Sequence, residues 1–213
     1  DEFYNVYKNT DLHKQIRKYE RDKYGNIKNL SQEKNINVLR TEMFLDSENN
    51  LNKNLKEKLF FLEAPTGSGK SNVALNLSFK LAEKDIDIKK IYYVYPFNTL
   101  VEQNIKSLEK IFGENDSIFN KISVINSITP IKVDKRKELE LNEDEDEGYD
   151  YYSKALLDRQ FFNYPMILTT HVSIFNIMFN YTKESAFPFH QLANSIIVLD
   201  EIQSYKNTIW TEI

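Results

Sequence analysis

The sequence predicts an α/β fold of three layers, a mostly parallel β-sheet with helices on both faces. Two observations carry this reading. Short apolar runs alternate with stretches whose apolar residues recur at helical spacing, and parallel strands need crossovers that are usually helices. The runs are continuously apolar rather than alternating, as suits strands buried on both faces. In order, Leu59-Phe60-Phe61-Leu62, bounded by Pro65 and Gly67, reads as a first buried strand. Lys70 to Glu83 reads as a helix with Val73, Leu77 and Leu81 on one stripe. Ile91-Tyr92-Tyr93-Val94-Tyr95, ended by Pro96, is the second strand, and Asn98 to Phe112 is the helix behind it, with Leu100, Val101, Ile105, Leu108 and Ile111 apolar. Ile122-Ser123-Val124-Ile125 is the third strand. Met166-Ile167-Leu168 is the fourth, followed by a helix through Ile174, Ile177 and Met178. Ile196-Ile197-Val198-Leu199 is the fifth and closes on Asp200-Glu201.

Ahead of these strands, residues 1–50 read as a Lys-, Asn- and Glu-rich helical lead-in, and residues 51–213 as the α/β lobe. The lead-in has loose helical spacing from Tyr4 to Tyr24, a turn at Tyr24-Gly25-Asn26, and a helix that Ser31 caps and that runs through Met43. An acidic insertion near 138–150, around Glu143-Asp144-Glu145-Asp146-Glu147, reads as a solvated loop because like charges repel. Residue 1 is Asp, and Ile209-Trp210-Thr211-Glu212-Ile213 stops without a cap in what reads as the start of a helix. The sequence therefore reads as an excised piece, its lobe incomplete at the C-terminal end.

Composition narrows the function classes. With 28 Lys+Arg against 32 Asp+Glu, the net charge of -4 lacks the basic excess that would announce nucleic-acid binding by charge alone. The absence of Cys excludes disulfides, Cys-ligated zinc and a thiol nucleophile, and suits a reducing cytoplasm. Three scattered His do not make a His-rich metal site, and no apolar run approaches the ~20 residues of a membrane span.

Ala64-Pro65-Thr66-Gly67-Ser68-Gly69-Lys70-Ser71 lies between an apolar run and a helix N-terminus, where a phosphate-binding loop belongs. Gly67 and Gly69 let backbone N–H groups turn inward, and the helix end adds partial positive charge. Lys70 is suited to the β/γ-phosphates of a nucleotide such as ATP, and the Ser71 hydroxyl to Mg²⁺. At the end of the fifth strand, Asp200 is the second candidate Mg²⁺ ligand, and Glu201 the candidate for orienting or deprotonating an attacking water. Pro96, Asn98 and Thr99 follow the second strand, while Thr169, Thr170 and His171 follow the fourth. Both segments sit where open α/β sheets bind ligands, and their small polar groups suit the phosphates of a single nucleic-acid strand. Helix capping by Asn98 or Thr170 is the competing account.

Taken together, these segments resemble the first RecA-like (P-loop) lobe of superfamily 2 helicases. Asp200-Glu201-Ile202-Gln203-Ser204-Tyr205, the Asn163 to His171 phrase and the helix near Trp210 are more narrowly similar to the CRISPR-associated helicase-nuclease of type I systems. The match spans roughly Asn35 to Ile213. The resemblance implies an ATP-dependent DNA helicase or translocase, with Glu201 and Gln203 catalytic, ATP and Mg²⁺ bound, and single-stranded DNA as the track. It also implies recruitment by an RNA-guided CRISPR surveillance complex, a second RecA-like lobe and a His-Asp nuclease domain. None of His13, His171 and His190 has an Asp beside it, so that nuclease centre is not built from this sequence. Another superfamily 2 motor on RNA or DNA, or a nucleotide-switched interaction module without turnover, are the alternatives.

Overall fold

The computed structural model describes residues 2–27, 29–126, 156–179 and 183–205. The acidic insertion near 138–150 and the helix expected near Trp210 lie outside them. The chain forms two compact units, Asp1–Ile86 and Asp87–Ile213.

The first unit is helical. Helix α1 (Glu2–Lys8) buries Phe3, Tyr4 and Tyr7, and α2 (Asp11–Asp22) starts where the Thr10 hydroxyl accepts from the His13 N–H. The long helical stretch expected from Tyr4 to Tyr24 is thus two helices. Gly25, at φ 75°, makes the expected turn. The next helix corrects the sequence reading: Ser31 lies in a 3₁₀ turn, Leu30–Gln32, and α3 (Ile36–Lys53) is capped by Asn35, whose side chain accepts from the Asn37 N–H. Helix α4 (Lys70–Lys84) packs Val73 with Ile16, Phe44 and Leu45, and Leu62 covers that cluster. Phe79, at the other side, meets the rings of Phe3, Tyr4 and Tyr7.

Inside this unit the Glu48 carboxylate gathers the polar groups. Arg17 Nη2 donates to both its oxygens at 2.8 and 2.6 Å, Asn76 Nδ2 donates at 3.0 Å, and Lys80 closes the set. Burial opposes the charge on Glu48, but the hydrogen bonds from Arg17 and Lys80 outweigh it and hold the carboxyl below its ordinary value. Burial first, and then the Arg17 charge, push the neighbouring His13 imidazole down to about 4.

The expected buried strand at Leu59–Leu62 is not found. Leu59 and Phe61 are 72% and 84% exposed, and the segment is neither helix nor strand. A strand needs a neighbour for its N–H and C=O groups, and the first unit has none among the described residues.

The second unit holds the sheet: β1 (Lys90–Tyr95), β2 (Ile122–Ile125), β3 (Met166–Thr170) and β4 (Ser195–Leu199), all parallel in the order β2-β3-β1-β4. Helices α5 (Asn98–Phe112) and α6 (Asp116–Phe119) join β1 to β2, and α7 (His171–Phe179) and α8 (Lys183–His190) stand between β3 and β4. One sheet face buries Tyr92, Val94 and Ile167 against Ile174, Phe175 and Ile177 of α7. This is the predicted parallel α/β architecture, with four of the five expected strands in place.

Two pH windows follow. His13 is neutral when folded, so stability falls as pH drops from ~6.5, where the unfolded imidazole charges, toward 4. The depressed Glu48 carboxyl adds stability that is lost only at lower pH, as it protonates. Glu48→Gln takes the counter-charge from half-buried Lys80 and leaves Arg17 only Glu20, and is expected to cost about 3 kcal/mol, the low end for breaking a buried pair. Urea unfolding at pH 7, 5.5 and 4 checks both; a Glu48→Gln protein as stable as wild type would contradict the second.

Candidate functional site

In the first unit, the loop Ala64–Ser71 enters α4 through Gly69, at φ 92° and ψ 21°, with Gly67 at φ 78°. A Cβ at Gly67 would meet no atom within 4 Å, so the glycine is needed for its left-handed backbone rather than for space. The first N–H groups of α4 lack intrahelical acceptors by helix geometry, and the helix has no side-chain cap. Lys70 Nζ donates to the Ala64 carbonyl at 2.6 Å, which folds the ammonium over the loop. Ser68 Oγ is buried and finds no hydrogen-bond partner among the described residues, and Ser71 stands exposed. Thr66 is exposed and Pro65 supplies its carbonyl to the Ser68 N–H at 3.2 Å. A loop of left-handed glycines, an orphaned hydroxyl, a cation held over the loop and an open helix end fits a polyphosphate.

Sequence reading missed Arg40. From α3 its Nε and Nη2 donate to the Gly67 carbonyl at 2.9 and 2.6 Å, clamping the loop at its left-handed residue. The contact spans 27 positions, and no local motif announces it.

The second unit brings the other candidates to one edge of its sheet. Tyr95 and Thr170 are register partners at the ends of β1 and β3, and Val94 pairs with Leu199, the last residue of β4. Pro96, Asn98 and Thr99 follow β1, His171 follows Thr170, and Asp200 follows Leu199. Thr99 is exposed, as is Phe97, an aromatic face 57% open beside it. Asn98 does not cap α5: its Oδ1 is buried without a partner among the described residues. Thr170 does cap α7, its hydroxyl accepting from the Ser173 N–H at 3.4 Å. Thr169 is fully buried and donates to the Ile125 carbonyl at 2.6 Å. His171 is buried too, its ring stacked on Tyr205.

Asp200 Oδ1 accepts from the Glu201 N–H at 3.0 Å, and the Gln203 amide donates to the Glu201 carboxylate. Glu201 itself is left-handed, at φ 50° and ψ 43°, a conformation that costs a non-glycine residue about 1–2 kcal/mol. Among the described residues no three His, Asp or Glu side chains cluster as a self-sufficient metal cage. Oxygen donors supplied singly suit Mg²⁺, which takes one or two protein oxygens and completes its shell with phosphate and water.

Residues 45–210 match the DEAD/DEAH box helicase family, and the chain belongs to it. It is thus an ATP-binding, helicase-type motor domain, of a family that uses ATP with Mg²⁺. No curated protein matches the chain, and no helix among the described residues is long and apolar enough to cross a membrane.

The capping contrast is measurable. Thr170→Ala is expected to lower stability by about 0.5–2 kcal/mol, while Asn98→Ala, which removes an unpaired group, costs no more than a few tenths. Equal losses in chemical denaturation would mean that Asn98 caps α5 after all.

Proposed function

We propose that this chain is the ATP-binding lobe of a DNA helicase or translocase acting in CRISPR interference against foreign DNA. The observation that carries the ATP half is the Ala64–Ser71 loop, whose left-handed Gly67 and Gly69 lead into the open N-terminus of α4. The narrower half rests on sequence: the Asp200-Glu201-Ile202-Gln203-Ser204-Tyr205 ending differs from the Asp-Glu-Ala-Asp of RNA helicases.

In this reading the loop amides of residues 64–71 and the Lys70 ammonium hold the nucleotide phosphates, and Ser71 and Asp200 supply oxygens to Mg²⁺. When bound, Mg²⁺ neutralises charge that develops on the phosphates. Glu201 orients the attacking water and accepts its proton, and Gln203 fixes the Glu201 carboxylate through its amide. The segments of Pro96, Asn98 and Thr99 and of Thr169, Thr170 and His171 lie at the strand ends proposed to meet single-stranded DNA; Asn98, Thr99 and the open face of Phe97 make the contact, while Pro96, Thr169, Thr170 and His171 are buried and shape the segments from beneath. Turnover requires a second RecA-like lobe, whose arginine finger contributes ~10³–10⁵ in rate, so the 213-residue chain alone binds Mg²⁺-ATP weakly and hydrolyses it negligibly. An RNA-guided surveillance complex delivers the full-length protein to opened DNA.

Three outcomes test this. Lys70→Ala weakens binding of a fluorescent ATP analogue roughly tenfold to a hundredfold, since a charge-assisted contact is worth ~1.5–3 kcal/mol. In the full-length protein Glu201→Gln retains ATP but slows hydrolysis ~10²–10⁴-fold. Single-stranded DNA stimulates that hydrolysis more than RNA does, and stimulation weakens on changing Asn98 or Thr99. Equal affinity in the Lys70→Ala protein would remove the loop from the site; RNA as the better stimulator would reassign the motor.

A further inference from the structure

The turn that carries the acids is fastened at both ends to one atom. The Val94 carbonyl, near the end of β1, accepts from the Asp200 N–H at 2.9 Å and from the Tyr205 hydroxyl at 3.0 Å. A carbonyl oxygen has two lone pairs, so these two donors fill it. Between them the chain passes through left-handed Glu201 and the 3₁₀ turn Ile202–Ser204. A strained residue persists only where its surroundings over-determine it. Here the surroundings are the two bonds to Val94, the Gln203 contact to the Glu201 carboxylate, and the Glu201 carbonyl accepting from the Ser204 N–H at 2.8 Å.

Tyr205 is built for permanence. It is 2% exposed and packs in the sheet core with Val94 and Phe175. The His171 ring lies flat against it, centroids 4.9 Å apart and planes 13° from parallel, while Phe175 meets it edge-on at 6.1 Å. Burial, and then the Asp200 carboxylate, push the phenol above its ordinary range, so it remains a donor at any working pH. Among the described residues the Val94 carbonyl is the hydroxyl's one hydrogen-bond partner.

We propose that Tyr205 is a positioning residue: its hydroxyl, anchored on Val94 and braced by His171, fixes where Glu201 and Gln203 stand and so governs the rate of ATP hydrolysis without touching the nucleotide. His171 opens the helix that follows β3, so the brace also ties the acidic turn to the segment assigned to single-stranded DNA. The proposal rests on the ATPase reading above.

Tyr205→Phe keeps the ring, its stack and its packing, and removes only the hydroxyl. In the full-length protein kcat is expected to fall about tenfold, the equivalent of one hydrogen bond, with the KM for ATP little changed. A double-mutant cycle with Glu201→Gln separates positioning from general weakening: if Tyr205 acts through Glu201, adding Tyr205→Phe to Glu201→Gln costs almost nothing further. Full additivity, or wild-type kcat in Tyr205→Phe, overturns the proposal. Hydrogen exchange on the same proteins gives a readout free of activity. The amides of Asp200 to Ser204 should exchange at least several-fold faster in Tyr205→Phe while those inside β1 and β3 keep their protection; equal protection of the turn overturns the proposal as well. A wild-type protein without ATPase activity would instead sink the ATPase reading, leaving the exchange result to decide the anchor by itself.

Discussion

Parallel pairing is the constraint on which the sheet unit depends. A strand that pairs in parallel with its neighbours must send the chain back across the sheet before the next can begin, so all the carboxyl ends gather at one edge. In the order β2-β3-β1-β4, the chain leaves β1 toward β2 on one side and leaves β3 toward β4 on the other. With right-handed crossovers these connections lie on opposite faces, and the edge between β1 and β3 becomes the place where loops diverge and a crevice opens. Register then fixes who meets whom: Tyr95 stands beside Thr170, and Val94 beside Leu199, one residue before the acids.

Two of the positive-φ segments lie among the candidate site residues. Gly67 and Gly69 in the phosphate loop adopt positive φ at little cost because they carry no Cβ, and Arg40 holds the Gly67 carbonyl from a different helix. Glu201 adopts positive φ at a real cost, which the proposed water-orienting role of its carboxylate accounts for, since glycine has none. The offset comes from the core beneath: Tyr205, Val94 and His171 hold the turn from below while its polar side chains face away from the sheet core. Rigidity under the turn and strain within it are two sides of one arrangement.

Much of the sheet was legible because its strands are short, continuously apolar and bounded by Pro, Gly or acids. The helix behind β1 was read to the residue, and β3 was read two residues short, because Thr169 and Thr170 are polar and only the Ile125 carbonyl reveals that one of them belongs inside. The Leu59–Leu62 run failed for a different reason: apolarity predicts burial but says nothing about whether a pairing neighbour exists. Ser31 was a plausible cap, and Asn35 won it by reaching the Asn37 N–H. The loop's glycine-rich sequence and the Asp200 to Tyr205 ending were legible as local motifs, whereas the anchoring contacts of Arg40 and Tyr205 were not, since they reach Gly67 and Val94 across 27 and 111 positions. Local chemistry can be read along a chain; anchoring across it needs the fold.

Under the proposed function, the carboxyl edge of the sheet is the working face of the second unit. Amide hydrogen exchange of the full-length protein, with and without single-stranded DNA and Mg²⁺-ATP, decides it. Slowed exchange is expected in the segments just past β1, β3 and β4, at residues 97–99, 170–173 and 200–204, with the opposite edge near Lys89, Lys121 and Asn194 unchanged. Slowing confined to that opposite edge, or none in any of the three segments, would contradict it.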